Sequence, residues 1–294
     1  MASTLDGITV LDLSTGAPAA LATMFLSDHG ARVVRIVAPN DQTMRDGGFI
    51  VWDRGKELLK LDLNDAAKNR DNADLFRRLV KGADVLIDDF APSSPCQTLV
   101  DAAWLRSLNP RLVSCSITAF GKRGPLKDEP PIDDLVLARM GVLGGMPGFR
   151  PAPVHVVHPL PTVGSALLAC LGIASSLLAR EATGRGRAVE TTMMAGALLY
   201  HPKVLGEHIP KHTFQTQPSG SAPFYSVYRC SDGEYIQLGC VHVRFMAIAA
   251  GIMGIDELIQ EERFDQGRGG EKDAEMELRG IIADIIATRP QAEW

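Results

Sequence analysis

The chain has too few cysteines for a disulfide framework. Its five (Cys96, Cys115, Cys170, Cys230 and Cys240) are an odd set with no CxxC spacing, which argues against both a disulfide scaffold and a structural zinc site. It has no excess of positive charge. A formal net charge of -5 over 294 residues excludes the clustered basic footprint of a nucleic-acid binder, while leaving room for a small polyanionic ligand held by a few cations. The amino-terminal MASTLDGITV has neither the charged nor the apolar region of a signal peptide. The longest apolar stretch, Val163 to Leu178, is shorter than a membrane span and broken by Gly and Ser. A cytoplasmic protein without a membrane partner is the expectation. No G-x-S-x-G elbow, no GxGxxG after a strand and no internal repeat occurs, which excludes a serine hydrolase and a dinucleotide fingerprint. His155 and His158 lie in a Pro-rich stretch with no acid or Cys beside them, so no metal is expected there.

What is present is alternation. Ile8 to Leu13 is a short Leu- and β-branched run suited to a strand buried on both faces, and Pro18 to Ser27 is an Ala-rich helix stopped by Gly30. Arg32 to Val37 completes a β-α-β unit. Asp74 to Val80 reads as helix, Asp84 to Ile87 and Val113 to Ile117 as strands, Ile132 to Met140 and Val163 to Glu181 as helices, and Ala188 to Met194 as a strand. Such an order predicts a mostly parallel sheet covered on both sides, with the loops after the strands gathered at one edge. Pro202 to Pro218 has no period and reads as linker. Beyond it, Phe224 to Cys230 and Glu234 to Cys240 flank Ser231-Asp232-Gly233, a hairpin signal, and helices are expected at Arg244 to Met253 and Glu275 to Ala287. The expected organisation is a Rossmann-like α/β domain over residues 1–200, a linker over 201–223 and a smaller α+β domain over 224–294.

Several motifs stand in a fixed order: the strand Gly7 to Leu13, the turn RIVAPND, Asp53-Arg54-Gly55-Lys56 leading to Leu61-Asp62-Leu63, Asp88-Asp89-Phe90-Ala91-Pro92-Ser93, Ser116 to Pro125, and the hairpin APFYSVYRCSDGEY. In that order they resemble the class III (CaiB/BaiF-type) coenzyme A-transferases, a family that also holds formyl-CoA transferase and the α-methylacyl-CoA racemases. The resemblance covers nearly the whole chain. It implies transfer of CoA between an acyl-CoA and a carboxylic acid, CoA or acyl-CoA as substrate rather than as a tightly bound cofactor, and an interlocked dimer. It also implies CoA contacts from Arg54, Lys56, Asp89, Phe90, Lys122 and Arg123, with cations meeting the phosphates and Phe90 stacking on adenine.

The departures from the family pattern fall on functional positions. The transferases attack the thioester with an Asp a few residues before a Gly-rich helix, whereas this chain reads His158-Pro159-Leu160-Pro161-Thr162-Val163-Gly164. A hydroxyl at Thr162 has no acyl carbon on which CoA could be carried, so the covalent mechanism is lost rather than slowed. Ala38 and Ala91 replace family cations, Asp89 replaces an Asn, and Ile132-Asp133 stands where the racemases have a His-Asp step. A racemase acid of the small domain falls at His242, and the resemblance leads one to expect a carboxyl-terminal return segment that this sequence, ending at Trp294, does not include. The expected catalytic set in this chain is therefore empty. Asp133 and Asp134 are the nearest carboxylates, expected to complement the dipole of their own helix. The expected partner is a homologous CoA-transferase chain that supplies the nucleophile, with the isolated chain inactive; the alternatives are a non-catalytic acyl-CoA binder and a racemase-like enzyme.

Overall fold

The structure is a computed structural model of the chain, and it describes residues 3–41, 47–63, 69–145, 155–200, 220–267 and 272–294. It divides into two units: residues 1–142 with 156–205, and residues 143–155 with 206–294.

The first unit is built in the order β1 (Thr9–Leu13), α1 (Ala17–Asp28), β2 (Arg32–Val37), α2 (Gly47–Trp52), β3 (Glu57–Lys60), α3 (Arg70–Gly82), β4 (Val85–Asp88), α4 (Ala102–Leu108), β5 (Val113–Thr118) and α5 (Asp133–Arg139). The short α6 (Val142–Gly145) lies at the division, and α7 (Leu160–Thr183), β6 (Ala188–Thr192) and α8 (Met193–Leu198) complete the unit. All six strands are parallel, in the order β3-β2-β1-β4-β5-β6. The chain steps one way from β1 and the other way from β4, so the crevice between them, outside their carboxyl ends, is the topological switch point where such sheets bind ligands.

Side chains alternate across the sheet. Val10, Val33, Val85, Ile87 and Cys115 join a core with α1 and α7, through residues such as Ala19, Ala166 and Ile173. Leu11, Leu13, Val34 and Leu86 join a second core with α3 and α4, through Phe76, Val80 and Leu105. The long α7 runs eight residues beyond the apolar stretch read from the sequence (24 against 16 residues), and by length and composition alone it could cross a membrane. Its buried stripe of Ala166, Ala169, Ile173 and Leu177 instead makes it the core helix of this unit. Gly184, at φ 67°, ends it in the left-handed conformation. The sixth strand stops two residues earlier than its alternation predicts: the Thr192 hydroxyl accepts from Ala195 N at 2.9 Å and starts α8 at Met193.

The second unit holds β7 (Gly220–Ala222), β8 (Tyr225–Arg229) and β9 (Tyr235–Gln237) in an antiparallel sheet, followed by α9 (Val243–Met253) and α10 (Lys272–Ile286). The β8–β9 hairpin turns through Gly233 at φ 87°. Phe224, Met246, Phe264 and Ile282 anchor its core. Residues 201–219 of the expected linker lie outside the described residues, and β7 forms within its last part.

Candidate functional site

The six expected CoA contacts do not form one cluster. Arg54 and Lys56 precede β3 and so lie at the amino end of that strand, whereas Asp89, Phe90, Lys122 and Arg123 follow β4 and β5 at the carboxyl edge. Arg54 pairs with Asp28, the last residue of α1, with Nε donating to Oδ1 at 3.0 Å and Nη2 to Oδ2. This pairing on a half-exposed surface lowers the Asp28 pKa through the Arg54 hydrogen bond.

Lys56 corrects the expectation of a phosphate contact. Its side chain is 0% exposed, and its ammonium donates to Asp12 Oδ2 at 2.8 Å, Thr23 Oγ1 at 2.8 Å and the Ala20 carbonyl at 3.0 Å. Three donors meet three acceptors, so no donor remains for a phosphate. Asp12 is equally buried; it also accepts from Thr23 Oγ1 at 2.6 Å and from Ser14 N at 2.9 Å. Next to this pair, buried Arg35 bonds Asp53 and lies 4.1 Å from the centre of the Phe49 ring. A turn that reads as basic thus binds β1, α1 and β3 together from inside.

At the switch point, Asp89 closes the amino end of α1. Its Oδ1 accepts from Thr15 N and Thr15 Oγ1 at 2.8 Å each, and its Oδ2 accepts from Gly16 N at 2.8 Å. A helix start is an anion site, and here the anion is the protein's own carboxylate. Burial pushes the Asp89 pKa up to about 7 in spite of these three bonds, and Asp88 beside it adds to the rise. Phe90 is buried in the wall of a cavity of about 140 Å3 that also includes Thr15, Ile36, Ala38 and Leu61. Asp41 is the charged residue among the described lining, which contains neither Lys nor Arg. Ala38, where the family pattern has a cation, faces this space. Lys122 is half-buried and lies near Asp88, whereas Arg123 is exposed.

The position expected to carry the nucleophile lies in the first turn of α7. Thr162 is buried; its backbone N–H donates to Asp133 Oδ1 at 2.8 Å and its hydroxyl to Asp133 Oδ2 at 2.7 Å. Asp133 therefore complements the dipole of a neighbouring helix as well as that of its own α5. A carboxylate is present at this spot, but it comes from α5 and both its oxygens are engaged. Sequence reading placed Asp133 on its own helix and missed this link, because nothing local ties residues 29 apart. His155 and His158 are exposed, and no three metal-ligating side chains converge among the described residues. His242 precedes α9 in the second unit without capping it through its side chain.

A parallel sheet in this order with a closed helix start at its switch point defines a Rossmann-like α/β protein. The model of CoA-transferase family III matches residues 5–294, and the chain belongs to that family. It is 32% identical to human alpha-methylacyl-CoA racemase, over 99% of this chain and 74% of that protein. It is 29% identical to the acetyl-CoA:oxalate CoA-transferase of Acetobacter aceti, over 98% of this chain and 76% of that one. The crystal structure of the hypothetical protein Rv3272 from Mycobacterium tuberculosis superposes with a TM-score of 0.79 at 27% identity, covering 100% of this chain and 80% of that chain.

Proposed function

We propose that this chain is an acyl-CoA-binding subunit of a class III CoA-transferase that works with a homologous chain carrying the nucleophilic carboxylate. The observation that carries this reading is the pair Thr162–Asp133: the family's nucleophile position holds a hydroxyl that is itself bound to a carboxylate. That carboxylate accepts two hydrogen bonds at the start of α7, so both its oxygens are committed to capping the helix. Exposed apolar side chains on α7, Leu167, Leu171 and Leu178, support a covering partner of the same family and the interlocked dimer expected from it. CoA contacts from the carboxyl-edge residues Asp89, Phe90, Lys122 and Arg123 belong to the same proposal, with Lys56 serving the interior.

A racemase reading draws on the similarity to the human racemase. It requires the His-Asp step and the small-domain acid, and this chain has Ile132-Asp133 and His242 there. The test is acyl-enzyme trapping. Acyl-CoA followed by borohydride or hydroxylamine should leave the chain unmodified when it is alone, and CoA exchange should appear on mixing with a homologous transferase. A stable adduct on Asp133 would move the nucleophile to α5 and overturn the reading.

A further inference from the structure

The face of the sheet that carries the α3–α4 core changes character at β4. By register, Asp88, Ser116 and Glu190 stand side by side across β4, β5 and β6, and Leu86, Ser114 and Ala188 form the row beneath them. On β5 the inward-outward alternation puts Val113, Cys115 and Ile117 into the α7 core and leaves Ser114 and Ser116 on this face. Parallel sheets are ordinarily buried by apolar side chains on both faces. Here small and polar residues leave a cavity of about 700 Å3, walled on one side by Trp104 of α4. That size is within the range of small-molecule sites.

Asp88 is 2% exposed and lines this cavity, yet both of its hydrogen bonds fall on one oxygen. Oδ1 accepts from Ser116 Oγ at 3.1 Å and Phe90 N at 3.2 Å, and Oδ2 takes no hydrogen bond from any described residue. That oxygen belongs to a buried residue yet opens onto the cavity, where it offers a ligand N–H an acceptor, with the charge of Lys122 nearby. Among the described lining residues three are acidic (Asp88, Asp101 and Glu190) and one is basic, Lys122. Glu190 is exposed at the cavity's outer side, and its Oε1 accepts from Lys122 N at 3.1 Å. Asp101 Oδ1 is held by Trp104 N at 2.8 Å.

We infer that this cavity is a binding site for a small organic cation, an amine or amidine, whose N–H groups complete Asp88 and approach Glu190 while its body lies against Trp104. An aromatic wall beside carboxylates is the combination that favours a desolvated cation. The inference does not rest on the CoA-transfer reading: it uses neither the α7 position nor the α1 crevice, and of the proposed CoA contacts only Lys122 lies in this lining.

Benzamidine is the probe, and benzamide is its uncharged counterpart of the same shape. Titration should show saturable binding with a change in Trp104 fluorescence, absent in Trp104→Phe, which keeps Trp52 and Trp294. Benzamide and the Asp88→Asn variant should each bind about tenfold or more weakly, as for loss of a charge-assisted bond. Where Asp88→Asn does not fold, Glu190→Gln on the exposed end of the row carries the same test with an expected severalfold loss. Absence of saturation up to ~10 mM, equal binding of benzamide, or unchanged binding in both variants would overturn the site.

Discussion

Asp133, the first residue of α5, caps α7 through both its oxygens by holding the N–H and the hydroxyl of Thr162. Removing either side leaves buried groups unsatisfied. Thr162→Ala and Asp133→Ala should each lower unfolding free energy by about 1–2 kcal/mol, the worth of a helix cap. Their combination should cost less than the sum, with coupling of about 0.5 kcal/mol or more in a double-mutant cycle. Strict additivity in urea unfolding would mean that the pair is incidental.

Restoring an acid at position 162 should fail while Asp133 remains. Thr162→Asp places two carboxylates within hydrogen-bond reach, and like charges at such a distance cannot both ionise freely. Thr162→Asp alone should be destabilised at neutral pH and should regain stability on acidification. Adding Asp133→Asn should relieve it. Thermal melts of the two variants across pH are the measurement.

Lys56 and Arg54 should behave oppositely. Lys56→Met leaves Asp12 buried without its counter-charge, which should cost about 3–5 kcal/mol. Arg54→Ala removes an exposed pair with Asp28 and should leave the unfolding midpoint within measurement error. Equal effects would contradict the buried position of Lys56.

Asp88 and Asp89 should make the protein less stable as pH rises. Burial lifts their pKa values to about 6 and about 7 from the ordinary 3.8, so the folded chain holds protons that the unfolded chain releases. Their contribution is complete below the unfolded value and is lost as pH climbs through the folded ones, with a slope of about 1.4 kcal/mol per pH unit per proton at most. Asp89→Asn should flatten the wild-type profile between about pH 4 and 7. A profile that rises over this window and is unchanged by the substitution would refute the assignment.

Gly196 should tolerate no side chain. A Cβ there would fall 2.3 Å from Ser165 N and 2.7 Å from the Pro161 carbonyl oxygen, so α8 crosses the first turns of α7 at backbone contact. Gly196→Ala should destabilise by about 1–3 kcal/mol or more, read by denaturant unfolding.

The strands were legible because burial on both faces writes itself as unbroken apolar runs, as in Thr9–Leu13 and Arg32–Val37. The end of β6 was misread because Thr191-Thr192-Met193 continues an alternating pattern while a hydroxyl cap decides the break. Lys56 was misread for a different reason. A cation beside Gly55 looks the same on a surface turn and in an interior, and its partner Asp12 lies 44 positions away. The row Asp88–Ser116–Glu190 left a trace, Ser at alternate positions of VSCSIT, but its meaning depends on register with two other strands.

The buried ammonium of Lys56 also orders events in time. During synthesis, β1, α1 and β2 emerge before residue 56, and in that interval the carboxylate of Asp12 has no cation to meet. The β-α-β unit that looks self-sufficient in the finished protein should therefore stay open on the ribosome until the third strand has begun. Its closure waits on a single side chain 19 residues beyond the end of β2, and a nascent chain halted before that residue would expose its first apolar strand to whatever surrounds it.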